Sequence, residues 1–200
     1  MIYIAIVAAL GAILFCLTQY RKSKNQNVEQ DALQLAWKKK DYDAYLALLS
    51  EKIDKSRNRK EKNILATLKM EVYILRKEWQ KMDALKKNVR LSELPKKIRV
   101  TFVCQYIIGA FLSERPQIAF KQMEYNAPLL AEAEANGTYA LYINSVKALK
   151  AFYTNHLDES RKLFSELKEK NIPGDLYDPM CVDYLKRIEE AEKEAAAETE

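Results

Sequence analysis

The chain has 200 residues and a net charge of +5, with three cysteines, one histidine and four glycines. Three cysteines without a C-x-x-C pair argue against a disulfide framework or a structural zinc site, and one histidine excludes histidine pairs as metal ligands. The residues that follow the first twenty-five are rich in Ala, Leu, Lys and Glu and suffice for one domain with a substantial core, so an all-α fold is predicted.

The first element is an uncharged stretch of seventeen residues at 2–18, IYIAIVAALGAILFCLT. As a helix it would measure about 25 Å, close to the roughly 30 Å hydrocarbon core of a bilayer. Tyr3 and Tyr20 bracket it where aromatic rings favour the headgroup zone. A transmembrane signal anchor is therefore predicted over residues 1–20, followed by a basic tether over 21–27. The residues expected at the membrane surface are Arg21, Lys22 and Lys24.

Three other interpretations compete with an anchor. A cleaved signal peptide needs a basic start and a small-x-small cleavage site, whereas the apolar run ends in bulky residues from Phe15 to Tyr20. A lipoprotein needs a small residue before the modified cysteine, and Phe15 precedes Cys16. A buried core helix is seldom apolar on all sides with a basic flank. Of these, the anchor fits best, and the positive-inside rule then predicts an N-terminus outside and a C-terminal domain in the cytosol.

Charge is distributed unevenly along the rest of the chain. Residues 21–100 contain 22 basic and 11 acidic residues, and residues 101–200 contain 11 and 17. The membrane-proximal half is thus the basic half, which either contacts anionic lipid or forms an ordinary solvated helix face. Nucleic acid is not an expected partner, because no nucleic-acid-binding motif accompanies the charge.

The remaining elements are predicted as paired helices. Asp41 is expected to cap the second of them, and Pro95 and Pro116 fit first-turn positions, where a missing amide is tolerated. A turn is expected at Pro173-Gly174-Asp175, and residues 189–200 are expected to form an acidic, frayed tail. The predicted helices cover 28–38, 41–53, 60–76, 79–90, 95–112, 116–125, 128–136, 138–153, 157–170 and a last one that begins near 179.

Self-similarity links these helix pairs. When the short turns inside the pairs are aligned, Tyr42, Trp79, Pro116 and Leu157 superpose, at spacings of 37, 37 and 41 residues. A period of this size in helix pairs indicates a solenoid, because one hairpin cannot bury its apolar face alone. Two preceding columns keep their character: Ala36, Tyr73, Ala110 and Ala151, then Trp37, Ile74, Phe111 and Phe152.

The segment from Asn155 to Phe164 is similar to the G-D-Y-x-x-A-x-x-x-F ending of a tetratricopeptide (TPR) repeat. Ala148, Ser160 and Phe164 occupy the small, small and aromatic positions of that repeat. The chain therefore resembles the TPR superfamily over about residues 28–172, although Lys86 replaces the aromatic in an earlier unit. The resemblance implies stacked antiparallel helical hairpins, a TPR-like α-solenoid within a domain at 28–188, whose first helices line a groove for a protein or peptide partner.

Groove residues follow from the resemblance alone, as the inward positions of each first helix. The lysine and asparagine set with which some TPR domains hold a C-terminal carboxylate is not reproduced, so another kind of segment is expected there. The implied groove residues are Gln30, Gln34, Lys38, Thr67, Glu71, Thr101, Ile108, Tyr142, Ser145, Leu149 and Tyr153.

Residues that could carry chemistry are few. His156 is expected to fill a turn between helices, and Cys104, between apolar neighbours, is expected in the core. No glycine-rich loop that could hold phosphates is present in the sequence. We therefore expect no catalytic residues, cofactor or metal, and no enzymatic activity.

Together these patterns predict a membrane-tethered cytosolic adaptor that recruits a protein partner. An alternative places the same anchored domain outside the cytosol, as a chaperone-like helper of exported proteins. The sequence does not identify the partner or the oligomeric state.

Overall fold

The computed structural model describes residues 39–170 and 176–197. All regular secondary structure in these residues is helical, so the prediction of an all-α fold is confirmed. The ten helices described are α1 (Tyr42–Lys55), α2 (Arg59–Thr67), α3 (Met70–Leu75), α4 (Trp79–Asn88), α5 (Lys96–Leu112), α6 (Pro116–Tyr125), α7 (Ala127–Ala135), α8 (Ala140–Tyr153), α9 (Leu157–Glu169) and α10 (Tyr177–Ala197).

The predicted membrane segment at 2–18, the tether at 21–27 and the predicted helix at 28–38 lie outside the described residues. Across 39–170 and 176–197, no helix combines the length and apolarity needed to cross a bilayer.

The described residues fall into two units, with 39–50 in the first and 51–170 together with 176–197 in the second. In the first unit the description begins at residue 39. Asp41 caps α1 as predicted, since its carboxylate accepts a hydrogen bond of 3.0 Å from the Ala44 amide. Tyr45 and Leu49 are the buried residues of this part of α1.

Helix α5 is the centre of the second unit. Every residue from 102 to 111 is buried, because α2, α3, α4, α6, α7 and α8 all contact this helix. From residue 102 to residue 111 its sequence is apolar except for Gln105, whose buried side chain donates a 3.0 Å hydrogen bond to Glu71. A helix enclosed in this way needs such a sequence, because an unpaired polar group in the core costs about 1–3 kcal/mol.

Gly109 lets α5 approach its neighbours closely. A Cβ atom at this position would lie 2.4 Å from Met82 Sδ and 3.0 Å from an Ile74 side-chain carbon. Both neighbours are buried core residues, so they have little room to move.

The helix predicted over 60–76 is interrupted, so that prediction was wrong in its middle. Leu68 and Lys69 donate to carbonyls three residues back, at 3.3 and 3.1 Å, instead of four. Thr67 directs its hydroxyl to the Ile64 carbonyl at 2.7 Å, which competes with the regular backbone pattern. Helices α2 and α3 are therefore separate elements joined by a tightened turn.

Three turns inside the hairpins share one conformation. Lys77, Glu114 and Asn155 have φ of 55°, 58° and 61°, in the left-handed region, and they are spaced 37 and 41 residues apart. In each turn this residue and the next donate backbone hydrogen bonds to the end of the preceding helix, as in a Schellman motif. The bonds are Lys77 to Ile74 (3.0 Å) and Glu78 to Tyr73 (2.8 Å), Glu114 to Phe111 (2.9 Å) and Arg115 to Ala110 (3.0 Å), and Asn155 to Phe152 (3.1 Å) and His156 to Ala151 (2.9 Å).

The accepting carbonyls of these turns belong to the two residue columns that the sequence alignment superposed. Lys40, with φ of 54°, stands one period of 37 residues before Lys77. Four non-glycine residues thus adopt the same uncommon backbone conformation at the period read from the sequence.

Other boundaries agree within a few residues. Pro116 begins α6 as predicted, whereas Pro95 precedes the first turn of α5. The last helix begins at Tyr177, two residues before Pro179, and continues to Ala197, further into the acidic segment than predicted. Glu192 of this segment pairs with Arg161 of α9.

Candidate partner-binding face

The first helices of three hairpins, α3, α5 and α8, and the last helix, α10, bring a group of polar and aromatic side chains together. We call this group the first-helix face. It consists of Glu71, Thr101, Gln105, Tyr142 and Tyr177.

Two pairs of contacts build this face. Gln105 Nε2 donates to Glu71 Oε2 at 3.0 Å, which joins α5 to α3. The rings of Tyr142 and Tyr177 meet edge to face, with centroids 6.0 Å apart and planes at 82°, which joins α8 to α10. Thr101 lies on the same helix as Gln105, and its hydroxyl donates to the Lys97 carbonyl at 3.1 Å.

Burial changes the acidity of both tyrosines. It raises the pKa of Tyr142, and the negative charge of Glu71 raises this pKa further. The pKa of Tyr177 is raised well above its ordinary value, again first by burial and then by Glu71. Both phenols are therefore neutral at physiological pH. The Tyr177 hydroxyl is buried without a hydrogen bond of standard geometry, which is uncommon in a folded protein.

The predicted groove residues differ in their exposure, and three of them are not described by the structure. Gln30, Gln34 and Lys38 lie outside the described residues. Glu71, Thr101 and Tyr142 are partly exposed and form part of the first-helix face.

Three predicted groove residues, Ile108, Ser145 and Leu149, have no exposed surface and belong to the core. Ser145 donates its hydroxyl to the Leu141 carbonyl at 2.8 Å, within its own helix. Thr67 is also buried, at 5% exposure. These four residues therefore belong to the interior of the described structure.

Tyr153 is partly exposed but belongs to a different cluster. It lies eleven residues after Tyr142 on α8, or about 16 Å along the helix. Its hydroxyl donates to the Phe111 carbonyl at 2.8 Å, and its ring stacks on Phe111 with centroids 5.1 Å apart. Tyr184 of α10 completes the contact, with its hydroxyl 3.3 Å away. Tyr153 of α8 therefore contacts both α5 and α10.

The buried thiols have little nucleophilic character. Cys104 is completely buried, as predicted, and burial raises the pKa of its thiol to about 12. Burial likewise raises the pKa of Cys181 to about 11. Both remain protonated at neutral pH, and the thiolate is the reactive form.

His156 lies in the turn between α8 and α9, as predicted. Its ring nitrogen Nδ1 is 2.9 Å from the Thr154 hydroxyl, and both residues are exposed. Among the residues that the structure describes, no three His, Cys, Asp or Glu side chains are grouped closely enough to hold a metal ion.

Sequence reasoning missed Gln105 and Tyr177. Gln105 interrupts an apolar run, and a lone polar residue in such a run signals a buried partner, here Glu71. Tyr177 follows the predicted turn at Pro173-Gly174-Asp175. Because the last helix was predicted to begin near Pro179, Tyr177 was not assigned to a helix.

Comparison with known proteins identifies no relative of this chain. No protein-family model matches it, and no curated protein or solved structure is detectably similar.

Proposed function

We propose that this chain is a single-pass, membrane-tethered, TPR-like helical-repeat adaptor that binds a protein partner at the cytosolic membrane face. Its hairpins would stack as an α-solenoid, with residues 2–18 in the bilayer. The observation that carries the repeat architecture is the conformation shared by the turns at Lys77, Glu114 and Asn155. Turns that recur at a period of about 40 residues are expected when each hairpin packs on the next.

The first-helix face supports a binding role. Successive first helices contribute neighbouring side chains to it, which is where the TPR resemblance implies a partner surface. Its accessible members combine a carboxylate at Glu71, a hydroxyl at Thr101 and an amphipathic ring at Tyr142. Such a mixture suits a helical or extended peptide segment, which presents both apolar side chains and backbone polar groups. Binding without catalysis also agrees with the protonated, buried thiols.

Site-specific photo-crosslinking in cells tests this face. A benzophenone amino acid replaces Tyr142 in the full chain, and adducts are identified by mass spectrometry. Tyr125 is the matched control, since it is also a tyrosine, is 76% exposed and ends α6, a second helix rather than a first helix.

We expect a discrete protein adduct from position 142 that is absent from position 125. Identical adducts at both positions, or no adduct at position 142, would contradict a partner site on the first-helix face. An adduct with an exported protein on the outer side of the membrane would favour the chaperone-like alternative.

A further inference from the structure

One end of the second unit carries a dense group of cations. Segments 52–62 and 86–99 together contain twelve basic and three acidic residues, a net charge of +9. Two further carboxylates adjoin them, since Glu51 pairs with Lys55 and Glu132 pairs with Lys96. The two segments meet in space: Asn63 Nδ2 donates to the Arg90 carbonyl at 2.8 Å, and the Arg90 amide donates to Asn63 Oδ1 at 3.1 Å. Arg59 pairs with Glu93 at 2.8 Å beside them. We call this surface the basic end.

The opposite end of the hairpins is neutral. Its three turns, within 76–81, 113–116 and 154–159, contain four basic and four acidic residues. Several of these charges pair locally, as when Arg115 donates to Asp83 at 2.6 Å and Arg76 lies 3.0 Å from Glu78. The net positive charge of the two segments at the basic end is thus larger than that of the three turns.

A cleft of about 240 Å³ opens at the basic end. Apolar side chains of Ile53, Ala66, Leu85 and Val89 line part of it. The charged residues in its lining are Arg59, Lys62, Arg90 and Glu93.

Positive charge exceeds negative charge around this cleft. Glu93 is shared between two guanidinium groups, at 2.8 Å from Arg59 and 3.6 Å from Arg90. The side chains of Arg59 and Arg90 remain 60% and 64% exposed. Within the described ranges, no carboxylate lies within ion-pair distance of Lys60 or Lys62. These cations are therefore available to an external anion.

We propose that the basic end docks on the headgroups of anionic phospholipids in the membrane that holds the anchor. This inference rests on the proposed function, because it assumes the tether. Phosphate and carboxylate groups of lipids complement guanidinium and ammonium groups, and an apolar cleft wall accepts the glycerol region beneath a headgroup. Docking in this way would place the turns at Lys77, Glu114 and Asn155 away from the membrane.

Composition favours a lipid surface over nucleic acid. Surfaces that bind single-stranded nucleic acid combine cations with aromatic rings on which bases stack. Segments 52–62 and 86–99 contain no aromatic residue, and neither does the lining of the cleft.

Lysine acylation of the full chain in vesicles tests the docking surface. The protein is reconstituted in vesicles of phosphatidylcholine alone or of phosphatidylcholine mixed with phosphatidylserine. It is then treated with an amine-reactive acetyl ester, and mass spectrometry measures the extent of acylation at each lysine. We expect Lys60, Lys62, Lys87 and Lys97 to be acylated several-fold more slowly in the anionic vesicles, with the difference lost at high salt. Lys162 and Lys168, exposed on α9, serve as internal controls whose acylation should not change.

Charge variants test whether the basic end causes this protection of the lysines. The triple variant Arg59→Gln, Lys62→Gln, Arg90→Gln should lose most of the protection of Lys60 and Lys87. The variant Lys150→Gln, Lys186→Gln, Lys193→Gln removes the same charge elsewhere and should keep it. Glu93→Gln, which removes the carboxylate and preserves its shape, should increase protection. Thermal melting of each variant separates an effect on docking from an effect on folding.

The outcomes distinguish the two proposals. A chain that does not float with neutral vesicles overturns the tether and hence the proposed function. A chain that floats with both vesicles and is acylated equally in both overturns the docking surface alone. Protection that appears only with an added oligonucleotide, and not with phosphatidylserine, would assign the basic end to nucleic acid and overturn this inference.

Discussion

Lys77, Glu114 and Asn155 show how single residues define the hairpins. A left-handed backbone conformation strains residues that carry a Cβ atom, and glycine is the usual residue at this position of a Schellman motif. None of the three is glycine, so the sequence predicted the position of each turn without indicating its conformation. The alignment found the turns through the flanking columns, because the residues that accept their hydrogen bonds are also the ones that pack between helices.

Replacing Lys77 with glycine should stabilise the protein. The variant Lys77→Gly removes the steric strain at φ of 55°, and we expect the free energy of unfolding to rise by about 0.5–1 kcal/mol, measured by urea denaturation. Lys162→Gly is the matched control. Lys162 is exposed inside α9, so the same substitution there should lower stability by about 1 kcal/mol. Equal losses in both variants would show that the Lys77 backbone is unstrained.

The site residues show the limit of transferring positions from a resemblance. The resemblance assigns all of Glu71, Thr101, Tyr142, Ile108 and Leu149 to one groove, but the first three are partly exposed and the last two are fully buried. How closely two helices approach depends on all the side chains between them, and a single sequence does not reveal that distance.

At the scale of whole elements, the positions of the helices were predictable from the sequence, but the break between α2 and α3 was not. Apolar periodicity and the proline positions located the first residue of nine of the ten described α-helices to within two residues. The break between α2 and α3 was missed because an apolar stripe continues across it from Ile64 to Leu75. At the break, the Thr67 hydroxyl donates to the Ile64 carbonyl of its own helix.

Helix α5 depends on a close approach at Gly109. The variant Gly109→Val would place carbon atoms where Met82 and Ile74 already pack, and we expect a loss of about 1–3 kcal/mol in the free energy of unfolding. Ala131→Val, on the exposed side of α7, introduces the same side chain without a steric conflict and should cost less than about 0.7 kcal/mol. A thermal or urea melt of both variants makes the comparison. If Gly109→Val is no less stable than Ala131→Val, α5 is more loosely packed than the structure indicates.

At the scale of the whole molecule, charge and apolarity are separated along the chain. An uncharged stretch begins it, basic residues follow, and the acidic residues concentrate towards its other end. The structure adds that two basic segments of the second unit, 52–62 and 86–99, meet in space through contacts between residues about thirty positions apart. Helix pairing produces this arrangement, since antiparallel neighbours bring the end of α4 beside the start of α2. The sequence alone showed the net positive charge of these segments but did not show that they meet in space.

The central claim is that residues 2–18 hold the helical domain at the cytosolic face of a membrane. Its most direct test is a topology measurement on the full chain in cells, with a C-terminal reporter that is active only in the cytosol, combined with alkaline extraction of membranes. We predict an active reporter and a chain that stays in the membrane fraction after extraction. An inactive reporter together with digestion of the domain by protease added outside the cell would contradict the cytosolic placement, and release by alkali would contradict the anchor.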